Sequence, residues 1–254
     1  SKGEKIVNMN HQAIDKAVDG LKEIAVPAEW ANAPLEEVVK IDAPEFVTDV
    51  LMPQLAMQGN DLPVSKFAAD GFVQPGTTKY EKRGIATVIP VWNSEKCTTC
   101  NMCSLYCPHG AIRPFLLNEE EVAKAPESFT TINMKGAGDV AKYKFRVQVS
   151  ALDCTGCTVC TTACPTNCLT MKDFAEVHEV ETKNWDYAMT LPARNELADR
   201  SNIRGTMLHE PYLEFSGACE GCNETALVKL LTQLFGERLM IANATGCSSI
   251  WGGT

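Results

Sequence analysis

The sequence predicts an α+β fold, in which a duplicated unit of strand, cysteine loop, helix and strand is flanked by pieces of α/β domains. Three observations predict it. Cysteine runs of identical spacing recur 57 positions apart, at Cys97, Cys100, Cys103 and Cys107 and again at Cys154, Cys157, Cys160 and Cys164, each closed by a proline, Pro108 or Pro165. A β-rich stretch precedes each run, at residues 86–92 and 144–149, and a short apolar piece follows each, at 112–115 and 169–171. After about residue 190 the pattern changes to a helical stripe and a short apolar run, the opening of an α/β unit. Repetition of one ligand-bearing unit is what a pseudo-twofold domain needs.

Each element can be taken in order. Residues 5–7 read as a strand and Met9-Asn10 as a turn. A helix follows whose stripe is Ala13, Ile14, Ala17, Val18, Leu21 and Ile24, with Asn10 as N-cap and Pro27 as stop. A lone strand and helix cannot bury their own faces, so residues 1–35 read as the end of a domain begun upstream. The first residues, Ser1-Lys2-Gly3-Glu4-Lys5, are neither an initiator Met nor a signal peptide, as at a cut point in a longer chain. Residues 36–85, rich in Pro and Gly without periodicity, read as an irregular linker. The run Thr77-Thr78-Lys79-Tyr80-Glu81-Lys82-Arg83-Gly84 has no mechanism legible in its composition. Residues 86–190 are the repeat, with a polar surface loop at 117–143, and 191–254 begin the last domain. There Ala226, Leu227, Leu230, Leu231, Leu234 and Phe235 form a helical stripe ended by Gly236. Residues 238–243 then read as a buried parallel strand running into the Cys247 turn.

Composition bounds the function. A net charge of −9 over 254 residues argues against nucleic acid, which wants clustered Lys and Arg. No run of about 18 apolar residues predicts a membrane span. Glu119-Glu120-Glu121 reads as a solvated loop. Twelve cysteines without a secretory signal point to reduced thiols, metal and a cytoplasmic setting rather than disulfides.

Three thiolates spaced three residues apart wrap one face of a cubane, and the fourth, just before the proline, reaches the other cluster. This predicts a two-cluster ferredoxin-like domain. One [4Fe–4S] cluster is held by Cys97, Cys100, Cys103 and Cys164, the other by Cys107, Cys154, Cys157 and Cys160. A zinc ribbon would need neither the third and fourth thiols nor the proline. Repeat symmetry sets Cys168 opposite Ala111, which predicts a packed thiol, and Trp92, Tyr106 and His109 read as packing groups beside the ligands. His11, His178 and His209 show no partner pattern. Cys219 and Cys222, opening a helix, read either as a thiol–disulfide pair or as two ligands of a third site. Together with Cys247 they favour a third metal site completed by missing sequence.

These residues resemble the pyruvate:ferredoxin (or flavodoxin) oxidoreductase family. The likeness runs through residues 76–86, both cysteine runs, residues 216–222 and residues 242–253, where Ala244-Thr245-Gly246-Cys247-Ser248-Ser249 is the most specific stretch. The resemblance implies an internal segment. Residues 1–35 would end a coenzyme A-associated domain and 191–254 would open the domain that binds thiamine diphosphate with Mg2+. It also implies a third [4Fe–4S] cluster on Cys219, Cys222 and Cys247, with Glu224 and Cys247 near the thiamine cofactor and catalytic residues outside this segment. The activity implied is oxidative decarboxylation of pyruvate with coenzyme A to acetyl-CoA and CO2, in a homodimer, with electrons leaving through the clusters to ferredoxin or flavodoxin. The alternative is a free-standing ferredoxin-type carrier of two clusters.

Overall fold

The computed structural model describes residues 3–33, 41–244 and 246–252. Ser1, Lys2, residues 34–40, Thr245, Gly253 and Thr254, which the linker and Cys247-turn readings include, lie outside that set. The chain divides into two compact units, meeting at Asp42 and Ala43.

In the first unit the expected strand, turn and N-cap are replaced by one helix, α1 (Glu4–Asp19), in which Asn10 is interior. A strand at 5–7 has no neighbour to pair with among the described residues. Glu4 in the first turn favours helix instead, through the positive end of the backbone dipole. The helix stops at Gly20, before Leu21 and Ile24, and none of its residues is buried within its unit.

The second unit carries the repeat. After a short helical stretch ending in α2 (Met52–Leu55) come β1 (Val88–Trp92), α3 (Met102–Tyr106), β2 (Ile112–Leu117), α4 (Glu119–Lys124), β3 (Ile132–Asn133), β4 (Lys144–Val149), α5 (Val159–Ala163) and β5 (Leu169–Asp173). The two halves interlock. Antiparallel β1 pairs with β5, Val88 opposite Asp173, and β2 pairs with β4, Ile112 opposite Val149. The first strand of each half thus lies beside the last strand of the other. Ile89, Ile112, Phe145, Val147, Val149 and Leu169 close one core together with Cys97, Cys103, Cys107, Cys154, Cys160 and Cys164. Each fully buried aliphatic or aromatic side chain contributes about 1.5–3 kcal/mol.

The polar insert is not a loop. Asn118 and Glu121 form a reciprocal capping box that starts α4, β3 adds a third strand to β4, and Phe129 and Met134 are buried. The acidic run is the first turn of α4, where the backbone dipole favours it. Glu121 also pairs with Arg194 at 2.6 Å.

Helix α6 (Phe174–Ala188), absent from the expectation, packs on β4, β5 and β1. Its buried face includes Glu181 and Asn184 beside Trp185 and Ala188, so no apolar stripe marks it. Glu181 is matched from the sheet, and Asn184 accepts from the Ser128 hydroxyl at 2.8 Å. Arg146 donates to Gln148 at 2.6 Å, and Gln148 donates to the Glu181 carboxylate at 2.7 Å. Burial draws the Arg146 guanidinium down to about 10.

Beyond it lie α7 (Ile203–Thr206), α8 (Asn223–Phe235) and α9 (Cys247–Gly252). The apolar stripe of α8 is only partly covered, with Ala226, Leu230 and Leu234 half-buried. Leu227, Leu231 and Phe235 are exposed, while Thr225, Lys229, Thr232 and Gln233 are buried. The polar side is the one with hydrogen-bond partners. Gln233 donates to the His209 carbonyl, and the Thr232 hydroxyl receives the Tyr212 N–H. Residues 238–243 are exposed coil rather than a strand, with Met240 95% exposed. A parallel strand forms only beside others, and none is present there among the described residues.

Candidate iron–sulfur centre

Each cysteine loop is shaped by backbone conformations that repeat with the sequence. Thr99 and Gly156, Asn101 and Thr158, and Gly110 and Asn167, each pair 57 positions apart, all hold positive φ between 50° and 74°. These turns fold the loop around its sulfurs. The Thr99 N–H points at the Cys97 sulfur and the Gly156 N–H at that of Cys154, both at 3.4 Å. At Gly156 the glycine is required, since a Cβ would stand 2.9 Å from the Val88 carbonyl oxygen.

The sulfurs gather in crossed sets. One cavity is lined by Cys107, Cys154, Cys157 and Cys160, roofed by Pro90, Pro108, Ala111, Ile112 and Met171. Burial pushes the Cys154 thiol up to about 12, with Cys107 and Cys157 adding repulsion. Burial likewise raises Cys160, with Cys107 and Cys154 the leading neighbours. In the other half burial raises Cys103, and its repelling neighbours are Cys97, Cys100 and Cys164. Cys103 also repels Cys160, so the two sets lie close together. A separate cavity of about 200 Å³, lined by Arg113, Phe115, Met189, Arg194 and His209 among others, contains no cysteine.

The donor chemistry fits iron–sulfur cubanes. All twelve cysteines are free, and those of both runs are buried or half-buried. Among the described residues no three Cys, His, Asp or Glu side chains close to the spacing of a single bound ion. A cubane sets an inorganic core between its thiolates, so its ligands stand farther apart than those of one zinc ion.

Cys168 is packed, as the symmetry predicts, and also touches the ligands. Its sulfur lies 3.3 Å from that of Cys164, to which its own N–H donates at 3.2 Å. The neighbouring Cys168 thiol, then the Thr99 N–H, draws Cys97 down to about 6 against its burial. His109 is buried, with Nδ1 3.1 Å from the Ser216 carbonyl. Burial holds its pKa below the ordinary histidine range. His209 is buried too, with Nε2 2.8 Å from the Ala198 carbonyl.

The third set differs. Cys219 and Cys247 are exposed and Cys222 is half-buried. The Cys219–Cys222 turn nevertheless lies against the repeat, for a side-chain carbon at Gly221 would stand 3.5 Å from Val159, the residue before Cys160. Glu224 accepts a hydrogen bond from the Trp251 indole at 3.1 Å, which joins α9 to the start of α8.

The run with no legible mechanism acquires one. Lys82 pairs with Asp153, beside Cys154, at 2.5 Å, and its ammonium lies 5.1 Å over the Phe215 ring. The Gly84 N–H donates to the Leu152 carbonyl, the Thr78 hydroxyl donates to that of Glu214, and Glu81 pairs with Arg83. Residues 78–84 thus fasten the second cysteine loop to residues 214–215. Only partners distant in sequence give the run its role.

Fold and site together define an iron–sulfur protein of the ferredoxin-like class, and residues 96–168 match the family described as a 4Fe-4S dicluster domain. Residues 33–86 match a second family, EKR, described as a domain of unknown function. Along its length the chain is homologous to pyruvate oxidoreductases. It is 52% identical to the pyruvate:ferredoxin oxidoreductase of Moorella thermoacetica, covering 100% of this chain and 22% of the relative. It is 50% identical to a mitochondrial NADP(+) pyruvate dehydrogenase of Euglena gracilis (100% and 14%) and 44% identical to a pyruvate-flavodoxin oxidoreductase of Enterobacter agglomerans (99% and 22%). The chain therefore spans about a fifth or less of the length of these relatives. No helix among the described residues is long and apolar enough to cross a membrane.

Proposed function

We propose that the chain is the electron-transfer segment of a pyruvate:ferredoxin or pyruvate:flavodoxin oxidoreductase, carrying electrons released in oxidative decarboxylation of pyruvate to an external carrier. The observation that carries the reading is the crossed gathering of Cys107 with Cys154, Cys157 and Cys160 around one cavity. The names of the homologous relatives supply pyruvate as substrate and ferredoxin or flavodoxin as acceptor. The clusters would supply one-electron chemistry, with potentials set by hydrogen bonds and solvent access.

The chain's own residues provide both controls. N–H groups of Thr99, Gly156 and Cys168 aim at sulfur, and the proline and methionine roof limits water. Cys219, Cys222 and Cys247 would be ligands of a third cluster, with Glu224 and Cys247 toward thiamine diphosphate. Coenzyme A, Mg2+, a homodimer and a cytoplasmic setting complete the reading. In that arrangement Val159 and His109 stand on the route from the third set to the Cys107 set.

The test is iron content with EPR of the reduced chain. About eight tightly held irons in two cubanes are expected. Cys164→Ala should remove the cluster of Cys97, Cys100 and Cys103 and leave its sequence neighbours' cluster intact. Loss of only the Cys154, Cys157 and Cys160 signal would reject the crossed sets, and zinc in place of iron would reject the function.

A further inference from the structure

Lys229 sits where a lysine rarely sits. It lies on the buried side of α8 with 1% of its surface exposed, and it makes no ion pair with a carboxylate among the described residues. Its ammonium donates to the Ser104 carbonyl and reaches the Leu105 carbonyl at 3.4 Å and the Met207 sulfur at 4.0 Å. Two carbonyls and a thioether solvate a charge without neutralising it, and an uncompensated buried ammonium costs several kcal/mol.

Its two carbonyl partners lie on the turn of chain between Cys103 and Cys107. Burial draws Lys229 down to about 8, and the groups that oppose this are Cys107 and, more weakly, Cys103. Cys107 belongs to one crossed set and Cys103 to the other, and Ser104 and Leu105 are residues between them. The other cation facing Lys229 is Arg113, which is already paired with Glu214. The lysine is therefore a positive charge with no carboxylate partner among the described residues, delivered between the two cysteine sets by the helix that Cys222 opens. Lys135, on the Cys97 carbonyl, is a second such charge.

We propose that Lys229 is the counter-charge shared by the two cluster sites and a positioning residue that sets their reduction potentials. This rests on the iron–sulfur reading above. A thiolate-ligated cubane is anionic and gains a further negative charge on reduction, so a fixed ammonium nearby favours the reduced form.

The experiment uses the intact, cluster-loaded protein that contains this chain. Lys229→Met and Lys229→Gln remove the charge, and Lys229→Arg keeps it. Potentials are read by EPR-monitored redox titration, with iron content measured alongside. At a fixed potential, the reduced-to-oxidised ratio of the Cys107-set cluster should fall about tenfold in both neutral variants, about 59 mV toward more negative potential, and stay within about twofold in Lys229→Arg. Unshifted potentials in neutral variants that keep their iron overturn this proposal alone. So does an equal shift in Lys229→Arg, or loss of iron from both neutral variants, either of which reduces Lys229 to a bolt between α8 and α3. Absence of cluster signals from the wild-type protein overturns the iron–sulfur reading and this proposal with it.

Discussion

The paired cysteine runs and the Cys219, Cys222 and Cys247 set are built from the same residue type, yet the structure treats them differently. The first eight sulfurs are enclosed by strands exchanged between two half-domains, with N–H groups already aimed at them. The last three stand on loops and helix ends, two of them exposed. The difference lies in what surrounds a thiol. A duplicated unit supplies the walls of its twin's site, whereas the third set has no twin within these residues.

The largest expected effect on that comparison comes from Cys160→Ser. About four of the two clusters' eight irons should be lost, with the EPR signal of the Cys107 set. Retention of both signals would show that the enclosed set tolerates the loss as an open one would.

Gly156→Ala comes next. Its Cβ would meet the Val88 carbonyl at 2.9 Å with φ at 74°, so denaturant unfolding should show a loss of about 1–3 kcal/mol. At the twin position Thr99 already carries a side chain at φ 58°, and Thr99→Gly should relieve backbone strain rather than add it. Equal effects at the two positions would mean that the halves are closer copies than their contacts indicate.

Asn118→Ala removes a capping box and should cost about 1 kcal/mol by the same measurement, with no change in iron content. The smallest effect belongs to Cys222→Ser, which should leave stability within about 0.5 kcal/mol and both cluster signals unchanged. A large loss there would place the third set inside the cooperative core.

Some of this was open to reading before any fold was known. Spacing and the 57-residue repeat identified the eight cysteines, the four principal strands and the packed Cys168, because duplication writes the same local geometry twice. The stripe on α8 gave the helix and its glycine stop but not which side is fully buried, since periodicity measures apolarity and not what lies opposite. Helix α6 carries no apolar signature because Glu181 and Asn184 are buried against partners distant in sequence, Gln148 on β4 and Ser128.

By itself the sequence determined which cysteines recur at the spacing a cubane needs, since a chain carries those intervals locally. Tertiary structure decided what those intervals cannot express. It set β1 against β5 and β2 against β4, used residues 78–84 to fasten the second cysteine loop, and carried the Lys229 ammonium to the seam between the sulfur sets. Each of these depends on groups far apart along the chain, and only burial makes their charges and hydrogen bonds strong enough to matter.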